Sequence, residues 1–158
     1  MGDGYGKVLA GHFLIGGIIM TAQKPVGLTA SVGYQIGVRR TIPVQTKHAW
    51  DFFFSPEGLS IWLGDIQHIP LQKGQSFQIK DGCSGELRVV KPGGHVRMTW
   101  KRADWEEPPS TLQVRFLTPS SDKTTISFHQ EKLANASTRE EMKEHWEQAL
   151  AKIDAALR

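Results

Sequence analysis

A single cysteine, Cys83, stands in the 158 residues, so no disulfide can close within the chain and a reducing, cytoplasmic compartment is expected. Cys83 lies in "KDGCSGE", whose glycines and charges read as a turn carrying an ordinary polar-loop thiol. Long apolar runs are missing too. The most apolar segment, "VLAGHFLIGGIIM" over 8–20, has 13 residues, short of the roughly 20 that cross a bilayer. With one nearby lysine, Lys7, and no small-x-small cleavage pattern before Gln23, it does not read as a signal peptide either. Gly11, Gly16, Gly17 and Gly27 argue against one stable helix there. The expectation is that Met20 is the natural start, that residues 1–19 are upstream or added sequence, and that residues 1–33 form an extension.

A strong excess of either charge sign is missing as well. The formal net charge is +3, and the basic residues fall in scattered pairs such as Arg39-Arg40 and Lys101-Arg102 rather than in a stripe. Neither a nucleic-acid partner nor a membrane partner is therefore expected. Of the 6 histidines, His48, His68, His95, His129 and His145 lie on different predicted elements with no His-x-x-x-His spacing, and His12 falls in the N-terminal segment. They read as solvated or locally hydrogen-bonded, with Glu141 and His145 able to make one i, i+4 contact. No Ser/His/Asp order, phosphate-cradling loop or dinucleotide fingerprint occurs, and the glycines of "GHFLIGG" lack a strand–turn–helix setting. No metal, no cofactor and no catalytic residue is expected.

What remains is an ordinary globular composition, 39% hydrophobic and 22% charged, in a chain of one-domain size. "GYQIGVRRTIPV" alternates Tyr34, Ile36 and Val38 against polar neighbours and reads as a first strand. "QTKHAWDFFFS" then changes to helical spacing through Ala49, Trp50 and Phe53, with Thr46 as the expected cap. "SPEGLSIWLG" predicts a second short helix: Ser55 caps, Pro56 opens the first turn and Gly64 ends it.

From Gln75 to Leu133 the period becomes two, predicting strands near 75–80, 84–91, 95–102, 111–118 and 123–131. Asp81-Gly82, Pro92-Gly93-Gly94, Pro108-Pro109 and Ser120-Ser121-Asp122 supply the turns, so neighbours run antiparallel. The face expected to point inward carries Phe77, Ile79, Leu87, Val89, Val96, Met98, Trp100, Leu112, Val114, Phe116, Ile126 and Phe128. "STREEMKEHWEQALAKIDAALR" covers that face. Ser137 and Glu140 look like a capping box, and Met142, Trp146, Leu150, Ile153 and Leu157 form one helical stripe. At 1.5 Å per residue the helix runs roughly 30 Å, enough to cross a sheet.

This order of elements resembles the START-like (SRPBCC, birch-pollen-allergen-like) helix-grip superfamily and, more narrowly, the activator of Hsp-90 ATPase homologue family. Gly85, Leu87, Val90, Pro92, Val96, Met98, Thr99 and Trp100 follow the family pattern without a gap, and Pro56, Glu57 and Trp62 follow its second helix. "PPSTLQVRF" and "KTTISFHQE" resemble its last strands, "HWEQALAKI" its terminal helix, so the likeness covers about residues 34–158. Trp62-Leu63 replaces a frequent Trp-Trp pair, "IPLQKGQ" a charged glycine-rich stretch, and Gln130 a common histidine.

The resemblance implies an α+β helix-grip domain over 34–158: six antiparallel strands curled around the terminal helix, with two short helices. It also implies a cavity between sheet and helix, because a twisted sheet and a straight cylinder cannot match along their whole length. Either side chains or a ligand fill that mismatch. The expected lining is Trp50, Trp62, Phe77, Leu87, Met98, Trp100, Val114, Phe116, Phe128, Met142 and Trp146, with Trp105, Arg102 and Glu131 at the mouth.

The function expected is non-enzymatic binding of a small apolar or amphipathic ligand. The alternative is a chaperone partner, with the chain activating an Hsp-90-type ATPase; against it stands the absence of room for the separate docking domain of such relatives. A polyketide cyclase-like enzyme comes third, with Asp65, Arg102, Gln130 and Glu131 as the polar groups to nominate. Oligomeric state is not legible.

Overall fold

The structure, a computed structural model, describes residues 12–15, 18–21, 28–29, 33–80 and 82–158. Asp81 of the expected Asp81-Gly82 turn lies outside them. Strands β1 (His12–Ile15) and β2 (Ile18–Thr21) pair as a separate antiparallel hairpin, with Met20 opposite Phe13. The main sheet contains the six expected antiparallel strands: β4 (Gly33–Ile42), β5 (Ser76–Gln78), β6 (Ser84–Lys91), β7 (His95–Trp100), β8 (Ser110–Ser120) and β9 (Lys123–Leu133). A two-residue strand, β3 (Leu28–Thr29), adds to the β4 edge, giving the order β3-β4-β9-β8-β7-β6-β5. The end of the N-terminal extension is thus tied to the sheet.

Helices α1 (Thr46–Phe53) and α2 (Pro56–Trp62) follow β4 as an elbow. The Ser55 hydroxyl accepts from the Gly58 N–H at 3.1 Å, the expected cap. Thr46 is not a cap: it sits at the first helical position, and its hydroxyl meets those of Thr118 and Thr124 at 2.7 and 3.1 Å. The Trp62 indole N–H donates to the Phe53 carbonyl at 2.9 Å, and the two rings stack with centroids 4.4 Å apart, which holds α1 against α2.

Helix α3 (Ala136–Leu157) begins one residue earlier than the serine of the expected capping box. The cap is Asn135, whose side-chain oxygen accepts from the Thr138 N–H at 2.8 Å. Lys132 has φ 64, which turns the end of β9 and leaves Leu133 buried. The helix buries the expected stripe of Met142, Trp146, Leu150 and Ile153 against the concave face of the sheet, with Ala149 and Asp154 beside it; Leu157 is half-buried.

Alternation predicted the inward face except at one point. Leu87 pairs with Met98, but Val89 pairs with Arg97 and Val90 with Val96, so a bulge between Leu87 and Val89 shifts the register. Val90, not Val89, packs against the core. Gly85 is required where β6 passes β7: a Cβ there would sit 1.9 Å from the Thr99 carbonyl oxygen and 2.7 Å from the Phe77 ring. Gly93 holds φ 77 in the β6–β7 turn, a conformation that suits glycine.

Trp146 is fully buried and stacks on Phe128 at 4.4 Å. Its indole N–H donates to the Gln130 side-chain oxygen at 2.8 Å, and the Gln130 amide donates to the Ser110 hydroxyl at 2.9 Å. Replacing Trp146 with Ala should cost about 3–5 kcal/mol, the usual loss for a buried aromatic, through the cavity and the stranded Gln130 oxygen. Urea unfolding measures it, and a loss below about 1 kcal/mol would mean that the helix does not pack as described.

Candidate functional site

All eleven residues expected to line an interior cavity are buried, none more than 7% exposed. They fill the space against one another. Trp50 meets Phe116 at 5.1 Å, Phe128 lies between Trp62 at 6.3 Å and Trp146 at 4.4 Å, and Trp100 meets Trp146 edge-on at 5.6 Å. Across the middle of the sheet, aromatic side chains take up the mismatch between sheet and helix.

At one end the filling stops. A half-open groove of about 350 Å³ lies between the end of α2, the start of β6, the end of β7 with the loop after it, and α3. Leu63, Gly82, Cys83, Trp100, Arg102, Ala103, Asp104 and His145 line it. The volume falls at the lower end of small-molecule sites, roughly 300–1,000 Å³. Of these eight, the sequence nominates only Trp100, for the cavity, and Arg102, for its mouth.

Each polar group in this groove has a definite state. Cys83 is not a loop thiol: it is 4% exposed, its Sγ donates to the Leu63 carbonyl at 3.5 Å, and burial pushes the thiol up to about 11. The Trp100 N–H and the Arg102 charge offset that rise only in part, so the sulfur stays protonated and is no nucleophile. The Trp100 indole N–H leans toward the sulfur yet is buried without a hydrogen-bond partner in the protein. The Arg102 guanidinium sits over the Trp100 ring, 5.9 Å from its centroid.

His145 departs from the solvated reading. Its ring is wedged against Trp100 and Trp146, at 6.2 and 4.5 Å between centroids, and its Nε2 is buried without a partner. Burial first, then the charges of Arg102 and Lys152, lower its pKa, while a hydrogen bond to the Trp62 carbonyl opposes them. That carbonyl belongs to the last turn of α2, where intrahelical donors run out. Burial and the neighbouring cations thus favour the uncharged imidazole.

The remaining mouth and polar nominees lie elsewhere. Trp105 folds back on Trp100, 5.4 Å away and edge-on, and backs the groove rather than lining it. Glu131 pairs with Thr111 in the series of Ser127 and His129, which alternation puts on the face away from α3. Asp65 is exposed, and both amide atoms of buried Gln130 are taken by Trp146 and Ser110. His129 meets the Gln35 side chain at 3.0 Å. Among the described residues no group of three His, Cys, Asp or Glu is placed to hold a metal ion.

On the outer side of the sheet, the fold gathers cations that are scattered in sequence. A second half-open groove, about 410 Å³, is lined by Lys73, Arg88, Arg97 and Lys132 with Val89, Met98, Thr99 and Thr111. Glu86 lies 3.8 Å from Arg88 and answers part of that charge. No helix among the described residues is long and apolar enough to cross a membrane.

The helix-grip architecture agrees with the comparisons. Residues 43–158 match the family described as Activator of Hsp90 ATPase homolog 1-like protein, and the chain belongs to that family. None of the curated proteins matches it. Among solved structures, an HSP90 activator from Plasmodium falciparum, PFC0360w, is similar with a TM-score of 0.68 at 19% identity, over 78% of this chain and 95% of that one. CalU16 from Micromonospora echinospora aligns with a TM-score of 0.66 at 19% identity, over 78% and 74% of the two chains. MLL2253 from Mesorhizobium loti aligns with a TM-score of 0.66 at 19% identity, over 78% and 96%.

The lowered pKa of His145 sets a pH dependence. Its folded value lies below its unfolded value near 6.5, so below that pH the unfolded chain takes up a proton that the folded one refuses. Stability should therefore decline as pH falls from about 6.5, while Asp154, also lowered, adds its loss only below the ordinary carboxylate value of 3.8. The groups facing His145 are Arg102, Asp104 and Cys83 from the sheet side and Lys152 on its own helix. Denaturation midpoints between pH 7.5 and 5 check this: His145→Asn should flatten part of the decline, and an unchanged slope would contradict the assignment.

Proposed function

We propose that this chain is a non-enzymatic binding protein that takes a small apolar or amphipathic molecule into the groove between α2, the β7–β8 loop and α3. The unit that carries this role is the domain over residues 34–158. The observation that supports it is a concave site walled by Leu63, Trp100 and Ala103, with Arg102, Asp104 and His145 as its polar lining. Apolar walls with a few placed polar groups are the usual composition of small-molecule sites. On this reading the ligand space lies at one end of the helix, beside the packed aromatics of the core. A lone buried cysteine fits a cytoplasmic location.

An environment-sensitive apolar dye should bind the whole chain saturably, and gently purified protein should carry a small molecule visible by native mass spectrometry. Ala103→Trp, which fills the groove from its exposed rim, should weaken dye binding about tenfold or more. Absence of any saturable site in the unaltered chain would sink this reading.

A second reading, activation of an Hsp90-type ATPase, is supported by the family and by the Plasmodium falciparum neighbour. The alignment with that neighbour spans 95% of its chain and 78% of this one. Stimulation of a purified Hsp90-type ATPase by this chain tests it; no stimulation at saturating chain retires it.

A further inference from the structure

We propose that the groove on the outer side of the sheet binds a small molecule carrying two or more phosphate groups, held by Lys73, Arg88, Arg97 and Lys132. This site lies across the sheet from α3 and is independent of the groove between α2, the β7–β8 loop and α3.

Local departures from regular geometry bring those cations together. The bulge in β6 leaves Leu87 and Val90 facing the core, so Arg88 and Val89 both face outward, with Val89 opposite Arg97 of β7. A bulge also bends its strand, which hollows a face that would otherwise be even. Beside it, the turn before β5 is strapped to β6. The Gly74 N–H donates to the Leu87 carbonyl and the Leu87 N–H to the Gln75 carbonyl, both at 2.8 Å, with Gly74 at φ 92. That strap sets Lys73 at the groove. Lys132 arrives from the end of β9 at φ 64, a left-handed conformation that costs a lysine and suits glycine.

The chemistry of the lining is one-sided. Glu86 lies 3.8 Å from Arg88, but among the described residues Lys73, Arg97 and Lys132 form no ion pair. No carboxylate is among the described lining residues; Glu131, opposite Thr111, stands beside them on the same face. The Thr99 hydroxyl oxygen already accepts from the Glu86 N–H at 2.9 Å, so its own proton is left to give. Guanidinium forks match phosphate oxygens in pairs, and ammonium groups add charge and donors. One phosphate group carries about two negative charges at most, so balancing three unpaired cations takes more than one. The volume of about 410 Å³ suits a small molecule. No aromatic side chain is among the described lining residues, so the bases of single-stranded nucleic acid would find nothing to stack on.

Calorimetric titration of the intact chain with inorganic pyrophosphate, at pH 7.5 and physiological ionic strength, tests this, with amide spectra to locate the site. Pyrophosphate should bind saturably with a Kd of about 100 μM or tighter and shift the amides of Thr99, Thr111 and Lys132. Methyl phosphate, with one phosphate group, should bind at least about tenfold more weakly. Arg97→Gln and Lys73→Gln, both at exposed positions, should each weaken pyrophosphate at least about tenfold. Lys143→Gln, at an exposed position of α3, removes the same charge and should stay within about twofold. Lys132→Gly separates binding from folding: it should keep the thermal midpoint, because glycine suits φ 64, while weakening pyrophosphate about tenfold. No saturable binding below about 1 mM, equal affinity for methyl phosphate, or equal losses from Lys143→Gln and Arg97→Gln would overturn the proposal. So would a single-stranded oligonucleotide that outbinds pyrophosphate about tenfold on the same amides, which would make this face a nucleic-acid surface.

Discussion

One chain of buried hydrogen bonds holds the helix in place. The Trp146 indole donates to Gln130, Gln130 donates to Ser110, and the Ser110 hydroxyl donates to the Trp100 carbonyl at 2.6 Å. Those bonds link α3 to β9, β8 and β7 in turn, and Gln130, Ser110 and Trp146 are all fully buried. Apolar stripes tolerate sliding; desolvated polar groups do not, because each unmade bond costs as much as it would to bury the group alone. A helix displaced by one residue would strand Gln130. Register is therefore set by polar contacts, and burial of Met142, Leu150 and Ile153 supplies the bulk of the stabilisation around them.

A second anchor lies near the C-terminal end of the same helix. Burial alone would raise the pKa of Asp154, but hydrogen bonds from Arg158 at 2.7 Å and from Arg40 of β4 at 2.8 Å overcome it and keep the carboxylate charged. Between the two anchors the helix is committed to the β4–β9 side of the sheet. Beyond Trp146, toward β6 and the loop after β7, sheet and helix part, and the groove opens there. The same Trp100 whose carbonyl closes the buried chain also lines that groove, so the core contact and the candidate site share one residue.

Much of the fold was legible because it rests on periodicity. The alternation in β7, β8 and β9 and the stripe of α3 report directly which face is buried. The misses have particular causes. A bulge inserts one residue between Leu87 and Val89, which no pattern of apolar and polar residues announces. Asn135, two residues before the serine, is the cap because its side-chain oxygen reaches the Thr138 N–H. His145 read as a surface histidine because its own helix places it at the edge of the stripe, and the end of α2 and Trp100 of β7, both distant in sequence, cover it. Cys83 read as a loop thiol for a similar reason: Leu63 and Trp100, distant in sequence, fold over it. The core face was therefore legible, and the groove, assembled from four separate elements, was not.

Hydrogen exchange of the two indole N–H groups reads both halves of this account in one spectrum. The Trp146 Nε1–H, bonded to Gln130 in the middle of the core, should exchange only with global unfolding, whereas the Trp100 Nε1–H, unpaired beside the groove, should exchange much faster. A Trp146 signal that exchanges as fast as that of Trp100, or faster, would contradict a helix locked to its sheet by that bond.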